Sequence, residues 1–187
     1  SGYVLARALT ISLRYSFVRQ QGSVSGKGEV SVIQYPTQQR MLLPLLSLAF
    51  GLHFIGQAMR NQYAAYAASA YPTGDDSSFV HEPAATAEQM LPMLHMRSAC
   101  LKAMITQRVY DGMEVCRKAC GGHGFTSNAG FTELMTSFLP MCTLEGTREV
   151  LGQQAGRSLL KMRAKGMSLS ADMGVADSSS MHAAASG

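Results

Sequence analysis

The feature that most constrains the fold is a run of about 30 residues, from Leu91 to Cys120, whose apolar side chains recur at helical spacing. A helix of this length extends about 45 Å at 1.5 Å per residue. It begins either at Leu91, with Pro92 in its first turn, or earlier, with Thr86 and Gln89 as a capping box. Gly121 and Gly122 follow its last residue, as glycine does at many helix ends.

Four more segments carry the same period. Gly22 follows the first of them, Thr37 is a candidate N-cap for the second, and Pro44 predicts a kink there. These helices are predicted at residues 3–21, 37–70, 130–139 and 147–165. Because no strand pattern persists, the sequence predicts an all-α fold, an antiparallel bundle of long helices over residues 1–165. Small polar residues predict a disordered tail at 166–187.

Composition limits the classes of function. Of the 187 residues, 47% are hydrophobic and only 15% charged, which predicts one domain whose apolar faces meet other domains or subunits. The net charge of +4 is carried by scattered basic residues, so nucleic-acid binding is not favoured. No apolar run reaches the roughly 18 residues typical of a membrane span. The four cysteines lack zinc spacing and are predicted to be free thiols.

The segment before the last helix carries the candidate catalytic residue. Glu145 and Gly146 stand just before a predicted helix start. A carboxylate there is favoured by the helix dipole, whatever its role. Glycine has no Cβ and lets the backbone approach a ligand closely. Glu145 is therefore either a catalytic base or an ordinary charge at a helix start.

Two motifs carry a family resemblance. Residues 116–125 read CRKACGGHGF, and residues 142–146 read CTLEG. Together with residues 8–16 and 35–46 they resemble the acyl-CoA oxidases, flavoenzymes built on the acyl-CoA dehydrogenase fold. The resemblance extends over about residues 3–165 in the correct order.

The resemblance implies a reaction. FAD-dependent oxidases of this family convert a fatty acyl-CoA to the trans-2-enoyl-CoA, and molecular oxygen then yields hydrogen peroxide. A glutamate takes the α-proton of the thioester while the β-hydrogen leaves as hydride. Glu145 occupies the position of that glutamate, and the family uses the backbone N–H of this residue to polarise the thioester oxygen.

The resemblance also implies binding residues and partners. Gly121 and Gly122 match glycines near flavin or acyl-CoA, although a helix end explains them equally well. Thr147 matches a threonine that bonds the cofactor, a role compatible with an N-cap. The implied cofactor contacts are Arg19, Gln38, Gln39, Gly121, Gly122 and Thr147, and the implied substrate contacts are Gly146 and Phe125. The family further implies a homodimer and a peroxisomal location, although the C-terminus carries no recognisable targeting signal.

Some departures leave alternatives open. Thr147 and Arg148 follow the Glu-Gly pair in the dehydrogenase manner, and Leu144 replaces an aromatic residue. An acyl-CoA dehydrogenase and a non-catalytic helical dimerisation module therefore remain alternatives. Family members carry a helical domain and a β-barrel ahead of this bundle, and these supply much of the flavin contact. The isolated chain, as a fragment of this kind, is expected not to hold FAD.

Overall fold

The structure, a computed structural model, describes residues 1–23, 26, 28–71 and 85–166. Within them lie five α-helices and no strand, as predicted. The helices are α1 (Gly2–Val18), α2 (Pro36–Ala70), α3 (Ala85–Ala119), α4 (Phe131–Phe138) and α5 (Arg148–Ala164). Short 3₁₀ turns occupy Val32–Gln34, Gly121–Phe125, Ser127–Ala129 and Leu139–Cys142. Residues 167–187 of the predicted tail lie outside the described residues.

Helix α3 is the central element, because α1, α2, α4 and α5 all pack against it. Side-chain contacts fix the directions of its neighbours. Ser12 of α1 bonds Cys116, and a Cβ on Gly112 would lie 3.1 Å from both Leu5 and Leu45. Helix α1 therefore runs parallel to α3, and α2 antiparallel to both. Helix α5 returns antiparallel along the N-terminal half of α3, where Gln154 meets His95.

The main core lies where α1, α2, α4 and the C-terminal half of α3 meet. Its fully buried side chains include Leu5, Leu9, Leu42, Val109, Met113, Cys116 and Phe131. A smaller cluster joins Leu151 of α5 to Ala99 and Ala103 of α3. The segment from residue 131 to residue 151 therefore passes from one cluster to the other along α3.

Two helix boundaries differ from the prediction. Helix α1 ends at Val18, because Arg19 turns extended (φ −68°, ψ 120°) and its carbonyl accepts a hydrogen bond from the N–H of Val32 at 2.8 Å. Helix α2 begins at Pro36 with Tyr35 as its N-cap, so Thr37 lies inside the helix. Proline suits this first position, since its missing N–H would have no partner there.

Two prolines lie inside helices that continue through them. Pro44 stands in α2 and Pro92 in α3. The start of α3 at Leu91 is therefore wrong. The earlier start is nearer, but the helix already includes Ala85, so Thr86 lies inside it and is not its N-cap. Each proline removes one backbone hydrogen bond. The packing of α2 and α3 along their length keeps each helix continuous despite that loss.

Helix α2 exposes much of its apolar surface. Phe50 and Phe54 are more than 60% exposed, and the buried residues on this helix are Gln38, Leu42, Leu52 and Ala70. By length and composition α2 is also apolar enough to cross a membrane, with a mean hydropathy of 1.6 in its most apolar window. Polar residues such as Ser47 and His53 interrupt the apolar stretches of α2, so the lack of a long apolar run in the sequence did not indicate this property. A single helix of this kind is weak evidence for a span.

Candidate active site

The loop before α5 is closed by a short series of backbone bonds. The N–H groups of Thr143 and Leu144 both donate to the carbonyl of Pro140, at 3.0 and 2.8 Å, and the N–H of Gly146 donates to Thr143 at 3.3 Å. No bond from the N–H of Glu145 to another described residue is present. The loop therefore leaves one backbone donor open, at the residue that the sequence singled out.

Glu145 has an unusual backbone conformation. Its φ of 62° is the only positive value at a non-glycine among the described residues, and Gly146 follows with a φ of 112°. A left-handed conformation at a residue with a Cβ costs about 1–2 kcal/mol. Strain of this kind is often found at functional sites, where the surroundings hold it in place.

Glycine at position 146 is favoured by its positive φ and also by the limited space at its Cβ position. A Cβ built on it would lie 3.1 Å from Cγ and Cδ2 of Leu151 in the first turn of α5. Leu151 in turn packs against Ala99 and Ala103 of α3. The loop is thus seated on the small cluster between α3 and α5.

Lys102 of α3 bonds the backbone of the loop before α5. Its Nζ donates a hydrogen bond to the carbonyl of Gly146 at 2.5 Å in a partly buried setting. A charge-assisted bond of this kind contributes about 1.5–3 kcal/mol, enough to offset the strain at Glu145. Sequence reasoning missed Lys102. The usable sequence signal is a lysine on the apolar side of the helix, since Ala99 at i−3 and Ile105 at i+3 both belong to its apolar set.

The side chain of Glu145 is exposed and unengaged. Among the described residues its carboxylate accepts no hydrogen bond and joins no ion pair, since the ion pairs found there both belong to Glu114. An exposed, unpaired carboxylate is available to take a proton from a bound molecule. The open N–H on the same residue is available to donate to one.

The start of α5 supplies further polar groups. Thr147 is the N-cap residue of α5, as predicted, and its carbonyl accepts the first helical bond from Leu151 at 3.0 Å. The pKa of the exposed Glu149 is lowered, first by its own backbone N–H and then by the hydroxyl of Thr147. Thr147 caps the helix through its backbone only, since its side chain makes no capping hydrogen bond.

A second group of predicted residues lies at the far end of α3. Gly121 has a φ of 57°, and open space surrounds the Cβ positions of both Gly121 and Gly122. The turn they begin is held by a 3.3 Å contact between Tyr15 Oη and His123 Nδ1. Phe125 is 80% exposed at its end. A ligand could approach the backbone of this turn closely.

Gln38 joins three helices beside this turn. It is 6% exposed, and its Nε2 donates to Ser16 Oγ of α1 and to the carbonyl of Ala119 of α3, both at 2.8 Å. Both of its N–H groups are therefore used inside the protein. Gln39 is exposed, with Nε2 bonded to the carbonyl of Ile33 at 3.0 Å. Arg19 is exposed just after α1.

We predict that Gln38→Leu destabilises the fold by about 2–3 kcal/mol, because it leaves the buried carbonyl of Ala119 without its side-chain donor. The apparent midpoint of thermal unfolding, followed by circular dichroism at 222 nm, should fall by about 4–12 °C. Gln39→Leu is the matched control, since its side chain is exposed, and it should shift the midpoint by about 2 °C or less. Equal shifts for the two variants would contradict a structural role for Gln38.

The cysteines near these sites are poor nucleophiles. Burial raises the pKa of Cys116 to about 11 and also raises the pKa of Cys120. Burial raises the pKa of Cys142 as well, and the nearby ammonium of Lys102 opposes that rise. All four cysteines are free. Since the thiolate is the reactive form, thiol chemistry is not favoured at these three positions.

The two groups of predicted residues are not brought together within one chain. Lys102, which contacts the Glu145 loop, and Ala119, which precedes the glycine turn, are separated by about 26 Å along α3, at about 1.5 Å for each of the intervening residues. Glu145, Gly146 and Thr147 lie at one position, and Arg19, Gln38, Gln39, Gly121, Gly122 and Phe125 belong to the other end of the bundle.

Comparisons with known proteins identify the family. The family described as "Acyl-CoA oxidase, C-alpha1 domain" matches residues 1–160. The peroxisomal acyl-coenzyme A oxidase 1 of Rattus norvegicus is 37% identical over 159 residues, which are 84% of this chain and 22% of that protein. The chain belongs to the acyl-CoA oxidase family. It spans less than a quarter of the length of the curated relatives it matches.

Solved structures agree with the assignment. Arabidopsis thaliana acyl-CoA oxidase 1 superposes with a TM-score of 0.76 at 37% identity, over 88% of this chain and 23% of that one. Acyl-CoA oxidase-1 of Caenorhabditis elegans, complexed with FAD and ATP, gives a TM-score of 0.75 at 30% identity, over 87% of this chain and 23% of that one. The helical bundle therefore has the architecture of this family.

Proposed function

We propose that this chain is the helical domain that carries the catalytic base of a FAD-dependent acyl-CoA oxidase. The observation that carries the proposal is the state of Glu145. This residue is held in a left-handed conformation with an exposed, unpaired carboxylate and an open backbone N–H, in a chain that matches the oxidase family over residues 1–160. A glutamate that served only the helix dipole would not need that conformation.

The groups on Glu145 suit removal of an α-proton from a thioester. Its carboxylate takes the proton from the α-carbon, and its N–H donates to the thioester oxygen, where negative charge develops. Two left-handed residues in succession turn the loop sharply at the point where these groups leave it. An acyl-CoA would contact Gly146 on the face of the loop opposite Leu151, because Leu151 fills the space at the Cβ position of Gly146.

Some of the residues near the Gly121–Gly122 turn are suited to bind an anionic dinucleotide. The turn at Gly121 and Gly122 has open space at both Cβ positions, and Arg19 and Gln39 are exposed. Gln38 fits less well as a direct ligand, because both of its N–H groups are used internally. These residues would hold FAD, which would supply the acceptor for the β-hydrogen as hydride, with O₂ as the final acceptor of the two electrons and H₂O₂ as the product. Thr147 would contact the cofactor from the Glu145 end.

The size of the match supports association with other domains or subunits. The matched segment is 22% of the rat relative, and α2 exposes large apolar side chains such as Phe50 and Phe54. We therefore expect this chain to work within a larger flavoenzyme, as a homodimer and in the peroxisome, where the named relatives are placed. The isolated chain is expected not to retain FAD.

The test uses the full-length protein that contains this chain, purified with its flavin. Mixing with a saturated fatty acyl-CoA without oxygen should bleach the flavin absorbance and yield the trans-2-enoyl-CoA. Admission of oxygen should then restore the absorbance and release about one H₂O₂ per enoyl-CoA. Bleaching with slow reoxidation by O₂ would indicate a dehydrogenase instead. No bleaching with any acyl-CoA would support a non-catalytic module.

A further inference from the structure

We propose that Lys102 is a positioning residue for Glu145, an inference that rests on the proposed function. Lys102 does not contact the carboxylate of Glu145. Its Nζ bonds the carbonyl of Gly146, the residue immediately after the base, at 2.5 Å. Lys102 thus acts through the backbone of the loop.

The loop is held by both backbone groups of Gly146, the residue after Glu145. The N–H of Gly146 donates to the carbonyl of Thr143, which closes a turn around Glu145, and the carbonyl of Gly146 accepts from Lys102. Glu145 is the residue whose strained conformation these two bonds support, because its φ of 62° is not otherwise favoured. Loss of the ammonium would let the loop relax toward an ordinary conformation and move the carboxylate.

The setting of Lys102 makes it a rigid support. Its neighbours Ala99, Ala103 and Thr106 are 5–7% exposed, so the stem of Lys102 rises from the packed face of α3. Thr106 Oγ1 bonds the carbonyl of Lys102 at 2.9 Å, which further fixes this turn of the helix. A lysine on the solvent face would have no reason to point into the α3–α5 junction.

The placement of the charge also matters for the base. An ion pair between Lys102 and Glu145 would occupy the carboxylate and oppose its use as a base. Among the described residues both ion pairs are made by Glu114. The ammonium of Lys102 instead donates to the carbonyl of Gly146. The geometry therefore supplies a strong donor to the loop without engaging the carboxylate.

The test compares Lys102→Met with Lys118→Met in the full-length flavoenzyme. Lys102→Met keeps the apolar stem and removes the ammonium. We expect the rate of flavin reduction at saturating acyl-CoA to fall roughly 10- to 100-fold, in the range seen when a supporting contact to a catalytic group is lost. FAD content and the Kd for acyl-CoA should change by less than about threefold, since the base makes its main contribution in the transition state. Lys118→Met removes a mostly exposed ammonium whose ion pair with Glu114, at 3.4 Å, is a surface contact, and it should leave the rate within about twofold of the parent.

Rescue separates positioning from general stability. Lys102→Arg retains a charged donor and should recover most of the lost rate, to within about threefold of the parent. If Lys102→Met does not retain FAD, Lys102→Gln replaces it, with a neutral donor that should give an intermediate rate. An unchanged rate in the Met or Gln variant would overturn the inference, as would an equal loss in the Arg variant.

A parallel measurement of Glu145→Gln distinguishes two kinds of failure. If Glu145→Gln is inactive and Lys102→Met is fully active, the function stands and the role of Lys102 is wrong. If Glu145→Gln retains full activity, the proposed function itself is wrong.

Discussion

Glu145→Gln should slow flavin reduction by acyl-CoA on the order of 10³-fold or more in the full-length enzyme, with FAD still bound. The amide is nearly isosteric with the carboxylate but cannot accept the α-proton. The backbone N–H of residue 145 and the bond from Lys102 to Gly146 remain, so acyl-CoA should still bind. Anaerobic stopped-flow absorbance at the flavin band measures the rate, and titration of the absorbance change measures binding.

The matched control is Glu133→Gln, a change of the same kind at an exposed carboxylate on α4. It should leave the rate of flavin reduction within about twofold of the parent, since surface substitutions of this kind have small effects. Flavin reduction at a near-parental rate in Glu145→Gln would show that another group takes the α-proton. Equal losses in both variants would point to misfolding instead.

Gly124→Ala should have the largest effect on stability. A Cβ at this position would lie 2.1 Å from the carbonyl oxygen of Arg117 and 3.2 Å from Cβ of Cys120. The clash is with backbone in the last turn of α3, which cannot move without breaking the bond from the N–H of Cys120 to the same carbonyl. We expect a loss of about 3 kcal/mol or more and a fall in the unfolding midpoint of about 6–12 °C.

Gly122→Ala serves as the stability control in the same turn. Nothing lies within 4 Å of its Cβ position, and its φ is not in the left-handed region. Alanine at a compatible glycine position restricts the unfolded chain, which can raise the free energy of unfolding by about 0.4–1 kcal/mol. The unfolding midpoint should therefore stay the same or rise slightly. A destabilisation as large as that of Gly124→Ala would show that the whole turn, rather than one close contact, is intolerant of side chains.

The helices were largely predictable because their apolar spacing and their glycine ends are local properties. Gly121 after α3 and Gly130 before α4 adopt the left-handed conformation that glycine permits, and Thr147 is the N-cap of α5. Pro44 and Pro92 were harder to interpret. Proline is expected at a helix end or a kink, and both helices continue past it, so Pro92 does not mark the start of α3. The kink at Pro44 stays a prediction.

The residues of the candidate site stay a prediction, and their arrangement could not be read from the sequence. The family resemblance pointed to Glu145, but the left-handed backbone at a glutamate has no sequence signal, since that conformation normally indicates glycine. Lys102 is distant in sequence from the loop that it supports. The separation between the Glu145 loop and the Gly121 turn depends on which part of α3 the loop packs against. Local sequence patterns do not predict that tertiary contact.

The number of residues in α3 between Lys102 and Ala119 sets the distance between the Glu145 loop and the Gly121 turn. One residue inserted between Lys102 and Ala119 would turn one end about 100° relative to the other and shift it by about 1.5 Å. If the carbonyl of Ala119 kept its hydrogen bond from Gln38, Lys102 would be displaced, and the carbonyl of Gly146 would lose its donor. A single insertion or deletion in this segment would therefore separate the base from its support, whatever side chain the added or removed residue carried.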